Sequence, residues 1–178
     1  MEGVIKFMNN YFNIDHNQML DIYNTGGTIQ RNNQSTPQVT IDQGPNPFII
    51  DIAKATINND NYRTTLWTGP HLQLTVMNIP VGEDIGLEVH PNVDQFIRIE
   101  QGYGMSQLGD QKDHFYLQQP VFEDSAIFVP AGTWHNIVNL GNIPLKLYTI
   151  YAPANHPKGT IHKTKAIAEA MERNPNIL

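Results

Sequence analysis

The chain contains no cysteine, which excludes disulfides and thiolate metal sites. Positive charge is scarce as well: 11 Lys and Arg stand against 17 Asp and Glu, a formal net charge of -6. A nucleic-acid binder needs a basic face to displace phosphate counterions, so no nucleic-acid partner is expected. No block of like charge suggests an interaction tail or a membrane-surface patch. No apolar run is long enough to cross a bilayer, and residues 1–20 carry Asn, Asp and His where a signal peptide would be apolar. No membrane partner is therefore expected, and the cytoplasm is the expected location. What is present suits one globular domain, with 40% hydrophobic residues in 178 and some length left for terminal extensions.

Three unequal parts are expected along the chain. Residues 1–45 are rich in Asn and Gln and contain the turn-forming pair Gly26-Gly27. Within them, residues 5–23 read as a short helix. Residues 24–46 are too polar to fold alone and read as an arm ordered by packing on the main domain or on a partner subunit. The breaker Gly44-Pro45-Asn46-Pro47 marks the boundary. Residues 46–155 show short alternating runs with turns between them, the pattern of a sandwich or barrel of about eight to ten strands. The runs cover residues 63–67, 72–76, 85–90, 95–99, 105–108, 114–117, 126–129, 135–138 and 145–151, with a turn expected at Gly109-Asp110. Residues 156–178 form a tail in which 164–172 read as one amphipathic helix ended by Asn174-Pro175. The fold class is thus all-β, with an N-terminal arm and a short C-terminal helix.

Side chains alternate faces along a strand, so Glu88 and His90 are expected on one face of the run 85–90. A hairpin through residues 91–94 would return Gln95 beside them, and His135 follows the turn Pro130-Ala131-Gly132-Thr133-Trp134. Two imidazoles, a carboxylate and an amide oxygen together suit a divalent zinc, iron, manganese, nickel or cobalt ion. On its own, a Glu-x-His pair on a strand is ordinarily solvated or salt-bridged. Gly102-Tyr103-Gly104 and Gly109-Asp110 read as turns, since neither leads from a strand into a helix as a phosphate loop does.

At these positions the chain resembles the cupin family. Glu88-x-His90-x4-Gln95-x6-Gly102 has the spacing of the first cupin motif, and Pro130-x-Gly132-x2-His135-x3-Asn139 matches the second. The family ordinarily has a histidine at Glu88, a glutamate at Gln95 and a glycine at Asp124. The resemblance covers residues 48–152 and implies a double-stranded β-helix, or jelly roll, holding one metal between Glu88, His90, Gln95 and His135. The segment 151–164 is similar to the tail of a bacterial cupin group labelled mannose-6-phosphate-isomerase-like. It leaves the last strand and would cap the barrel mouth, which makes Tyr151, His156 and His162 candidate substrate-binding residues.

These features imply a metal-binding protein acting on a small polar or sugar-like molecule, with sugar or sugar-phosphate isomerisation or epimerisation first. Glu88 is the candidate catalytic residue, moving a proton when it is not a tight ligand. Lys146, Lys158 and Lys163 are the candidate phosphate contacts. An iron or manganese dioxygenase, or a small-ligand binder without catalysis, would use the same barrel. A homodimer is expected, with the N-terminal arm crossing onto the partner.

Overall fold

A computed structural model of the chain describes residues 42–173. The expected helix at 5–23 and most of the arm lie outside the described residues, as does Asn174-Pro175. The described part runs α1 (Ile52–Ile57), β1 (Arg63–Thr68), β2 (Gln73–Ile79), β3 (Asp94–Gln101), β4 (Tyr103–Gln111), β5 (His114–Phe122), β6 (Ala126–Val129), β7 (Trp134–Asn139), β8 (Leu145–Ala152), β9 (Ile161–His162) and α2 (Lys165–Arg173). The strands form a six-stranded sheet, β6-β3-β8-β2-β1-β9, and a three-stranded one, β5-β4-β7. Every pairing is antiparallel. This is the jelly roll expected from the sequence.

Period-two alternation decides what lies between the sheets. On β3 the buried residues are Gln95, Ile97 and Ile99, with Phe96, Arg98 and Glu100 turned outward. Register places Ile97 beside Thr149 and Ile99 beside Leu147 on β8, and those beside Thr75 and Met77 on β2. From the smaller sheet, Leu108 and Ile137 face the same interior and join one core with Met77, Ile79, Ile99 and Leu147. Burying an aliphatic side chain of this size is worth about 1.5–3 kcal/mol, so this cluster supplies the main driving force for closing the barrel.

Three local expectations are corrected. Residues 85–90 do not form a continuous strand: the segment touches β7 only at two bridges, Asp84 with Val138 and Glu88 with His135. Gly86 takes φ +85, a left-handed conformation that interrupts any strand, and its N–H is turned onto the Asp84 carboxylate. Residues 91–94 are therefore no hairpin; they carry the chain from the smaller sheet across to β3 in the larger. Gly109 and Asp110 lie within β4, and the turn falls at Lys112-Asp113.

Helix α1 and strand β9 were not legible as periodic runs. Helix α1 is only six residues long, capped by the Asp51 carboxylate accepting from the Lys54 N–H at 3.2 Å. At its other end Lys146 Nζ donates to the carbonyls of Ile57 at 2.6 Å and Asn59 at 2.9 Å. Strand β9 pairs Arg63 with His162 and so brings the tail onto the edge of the larger sheet.

Candidate metal centre

Backbone pairing, rather than a shared strand, assembles the motif residues. The Glu88 N–H donates to the His135 carbonyl at 3.1 Å, and the His135 N–H to the Glu88 carbonyl at 2.9 Å. Two residues on, the Gly132 N–H donates to the His90 carbonyl at 2.9 Å. Gly132 has φ +80 in the turn closed by the Thr133 N–H on the Pro130 carbonyl at 3.1 Å. The turn that delivers His135 thus also docks the segment carrying His90.

One oxygen of Glu88, Oε1, lies 3.4 Å from His90 Nε2 and 3.3 Å from His135 Nε2. One potential ligand atom from each of these residues falls within 4.8 Å of the others. His135 Nδ1 stands 3.0 Å from the Thr133 carbonyl, which can only accept. Nδ1 can donate to it, which leaves Nε2 facing Glu88 Oε1. A proton on Nε2 or a cation between the two makes that approach attractive.

His90 Nε2, His135 Nε2 and Gln95 Oε1 are buried without a hydrogen-bond partner. Gln95 Nε2 donates to Thr149 Oγ1 at 3.0 Å, which fixes its amide and leaves the oxygen free. Gln95 enters from the facing sheet as the register partner of Tyr151, whose ring packs 5.7 Å from that of His90. Burial alone would raise the Glu88 carboxyl. The His135 and His90 imidazoles and the charge of Arg63 outweigh that and hold it well below the usual carboxylate range. Glu88 is thus an anion, not a buried neutral acid, and the donor set fits a divalent ion.

Tyr151 and His156 continue the group outward, with rings 5.1 Å apart at 88°. The backbone at His156 is held by Gln73. The Gln73 amide donates to the His156 carbonyl at 2.8 Å and accepts the N–H groups of His156 at 2.9 Å and Asn155 at 3.2 Å. Burial pushes the His156 imidazole down to about 3, so it is neutral at pH 7. Burial also raises the Tyr151 hydroxyl, which therefore stays protonated. His162 is buried at the sheet edge beside Arg63, and burial followed by the Arg63 charge lowers it.

The three lysines expected to meet a phosphate do not enter this interior. Lys146 points outward to α1, Lys158 Nζ donates to the Gly44 carbonyl, and Lys163 is exposed. The cation that does enter is Arg63, 1% exposed on β1, a residue the sequence reasoning passed over. Nothing in the sequence marked it, since Arg63, Thr64, Thr65 and Leu66 are all buried and no alternation sets it apart.

A sequence profile for the cupin domain matches residues 75–151. The Bacillus subtilis protein YrkC is 62% identical over 131 residues, spanning 74% of this chain and 70% of the relative. The chain belongs to the cupin family. BH2720 from Bacillus halodurans, a solved structure, is 58% identical with a TM-score of 0.72, covering 73% of this cupin and 98% of that chain. TT1209 from Thermus thermophilus, at 18% identity and a TM-score of 0.50, covers 59% of this chain and 96% of that one and shows the fold alone.

Two positions of the second cupin motif now have physical explanations. Asp124, at the position of the usual glycine, has φ +70, in the left-handed region that aspartate tolerates better than most residues. Its carboxylate is fixed by an ion pair to Arg98. Asn139 has no part in the site. Its amide donates to the carbonyls of Ile79 at 2.9 Å and Ile143 at 3.0 Å and accepts the Gly141 N–H at 2.9 Å, which fixes the turn before β8.

Proposed function

We propose that Glu88, His90, Gln95 and His135 hold one divalent metal ion. Through it the protein acts on a small polar, oxygen-rich substrate, with isomerisation or epimerisation of a sugar-like molecule as the reaction class. The observation that carries this reading is the set of unpaired donors: two imidazole nitrogens and an amide oxygen, buried, around or facing one carboxylate. The chemistry such an ion supplies is polarisation of a carbonyl or hydroxyl oxygen, which acidifies the neighbouring carbon-bound proton.

The chain's own residues supply the rest. Both imidazoles approach the same Glu88 oxygen, and the other oxygen is the candidate to exchange that proton with the substrate when Glu88 is not held tightly by the ion. Tyr151, its ring against His90, is the candidate hydroxyl donor to the substrate, and neutral His156, packed on Tyr151, is the candidate to limit access of bulk water. Two imidazoles and one carboxylate also form the three-ligand set of an iron or manganese dioxygenase, which is the second reading.

Metal analysis followed by a panel of sugars and sugar phosphates tests the proposal. Turnover of an aldose–ketose or epimer pair supports it. Stoichiometric iron with oxygen consumption moves the assignment to the dioxygenase, and binding without turnover moves it to a ligand-binding cupin. A homodimer belongs to the same proposal. Phe128, 72% exposed on the outer sheet face, meets Phe96 edge-on with ring centroids 5.2 Å apart and offers an apolar surface for a second copy. Light scattering that finds only monomer contradicts that part.

A further inference from the structure

Besides the metal group, seven buried polar atoms lack a hydrogen-bond partner among the described residues; Asn78 Oδ1, Arg98 Nε and Asn136 Oδ1 sit on half-buried residues, and the four on fully buried residues are Arg63 Nε, Thr75 Oγ1, Tyr151 Oη and His162 Nδ1. The Tyr151 hydroxyl comes near Thr149 without completing a hydrogen bond. Register shows that the four side chains share the concave face of the six-stranded sheet. Arg63 is the partner of both His162 and Met77. Thr75 lies two residues from Met77 on β2, and its partner Thr149 lies two residues from Tyr151 on β8. Each of these groups can donate a hydrogen bond, and a guanidinium offers a planar fork shaped for two oxygens.

An enclosed donor with no acceptor costs about 1–3 kcal/mol, and more when charged, so four on one face make a poor structural arrangement and a good receptor. We infer that Arg63, with Thr75, Tyr151 and His162 beside it, binds an oxyanion, a carboxylate or a phosphate, carried by the same small molecule that reaches the metal. This rests on the metal reading of the barrel.

Charge supports it. Arg63, buried, and Glu88 carry opposite charges in this interior. A divalent ion beside Glu88 would leave the interior positive, and an anionic group on the ligand offsets that charge. The resting partner of Arg63 is Glu172 on α2, 3.2 Å from Nη1 with its side chain 56% exposed. An incoming anion competes with that exposed carboxylate rather than with a buried one. The Tyr62 ring, 5.6 Å from the guanidinium carbon, backs the side chain and keeps it in place.

The test is calorimetric titration of the metal-loaded protein with glycolate, inorganic phosphate and the neutral ethylene glycol, with metal content measured on every sample. At least one of the two anions should bind about tenfold or more tightly than ethylene glycol, and which one does so separates carboxylate from phosphate recognition. Arg63→Met should weaken that anion about tenfold or more with metal content unchanged. Arg63→Lys should retain part of the affinity, and Glu172→Gln should increase it, the opposite of what losing a merely structural ion pair would do.

Neutral and anionic probes binding alike, or neither anion binding, overturns the inference. So does an anion affinity that Arg63→Met leaves unchanged. If Arg63→Met does not fold, Glu172→Gln and Arg63→Lys decide, and affinity unmoved in both overturns it. Absence of metal from the wild-type protein is a failure of the metal reading instead. The same titration on metal-free protein, wild type against Arg63→Lys and Glu172→Gln, then still decides the role of Arg63.

Discussion

The two ends of the barrel interior are equally buried and chemically opposite. At one end stand Ile79, Leu145, Ile99 and Leu147, and at the other Gln73, Thr75, Thr149, Tyr151, Gln95 and His135, all buried. The same three strands build both. β2 passes inward from Ile79 and Met77 to Thr75 and Gln73, β8 from Leu145 and Leu147 to Thr149 and Tyr151, and β3 from Ile99 and Ile97 to Gln95. The apolar end needs no partner. The polar end leaves Thr75 Oγ1, Gln95 Oε1, Tyr151 Oη and His135 Nε2 unpaired. Stability is concentrated in one half, and the other half gives up stability for ligands it is shaped to receive.

The largest expected effect breaks the apolar half. Leu147→Ala should cost about 2–5 kcal/mol in denaturant unfolding while leaving the metal content of the folded fraction unchanged. A cost near zero would mean that this end is not the main core. Next comes Glu88→Gln, which removes the charge that neutralises the ion. It should weaken metal affinity beyond the ~10–100-fold typical of changes behind the ligands and lower turnover about 100-fold or more. Glu88→His, which restores the commoner cupin ligand, should keep the metal. Retention unaffected by Glu88→Gln would place Glu88 outside the ligand set.

A smaller effect of opposite sign sharpens the contrast. Thr75→Val replaces an unpaired hydroxyl by a methyl of like shape and should stabilise the ligand-free protein by about 1 kcal/mol. Destabilisation of that size would show that the hydroxyl is satisfied and that the polar end is ordinary core.

The remaining effect is a pH dependence. His156 is depressed from 6.5 to about 3 in the folded chain. Below pH 6.5 the unfolded chain takes up a proton that the folded chain refuses. Stability therefore falls as pH drops toward 3, and nothing is contributed above 6.5. Unfolding measured at pH 7 and pH 4 should show His156→Gln losing less stability than the wild type. Equal losses would mean that His156 is solvated in the folded state.

The apolar half was the more legible in the sequence, because period-two alternation on β3 and β8 marks Ile97, Ile99, Leu145 and Leu147 as inward residues before any pairing is known. Motif spacing likewise brought together Glu88, His90 and His135, which the structure places in one group. The route between them was misread. Gly86 breaks the expected strand, and Glu88 pairs with His135 across the smaller sheet rather than with Gln95 through a hairpin. Arg63 was illegible for a different reason. A guanidinium on a strand ordinarily faces solvent, and it is the pairing of Arg63 with the core residue Met77 on β2 and with His162 on β9 that shows it faces inward. The short helix α1 depends on contacts such as Lys146 at its carbonyl end, which no local period announces.

The central claim is that the unpaired donors of the polar half hold a metal ion. Elemental analysis of the purified protein, compared with the His90→Ala/His135→Ala double variant after identical reconstitution, tests it most directly. The account predicts one divalent ion per chain in the wild type and none in the variant, with both proteins folded by circular dichroism. A wild-type protein that takes up no stoichiometric ion, or a folded double variant that binds as much as the wild type, would contradict it.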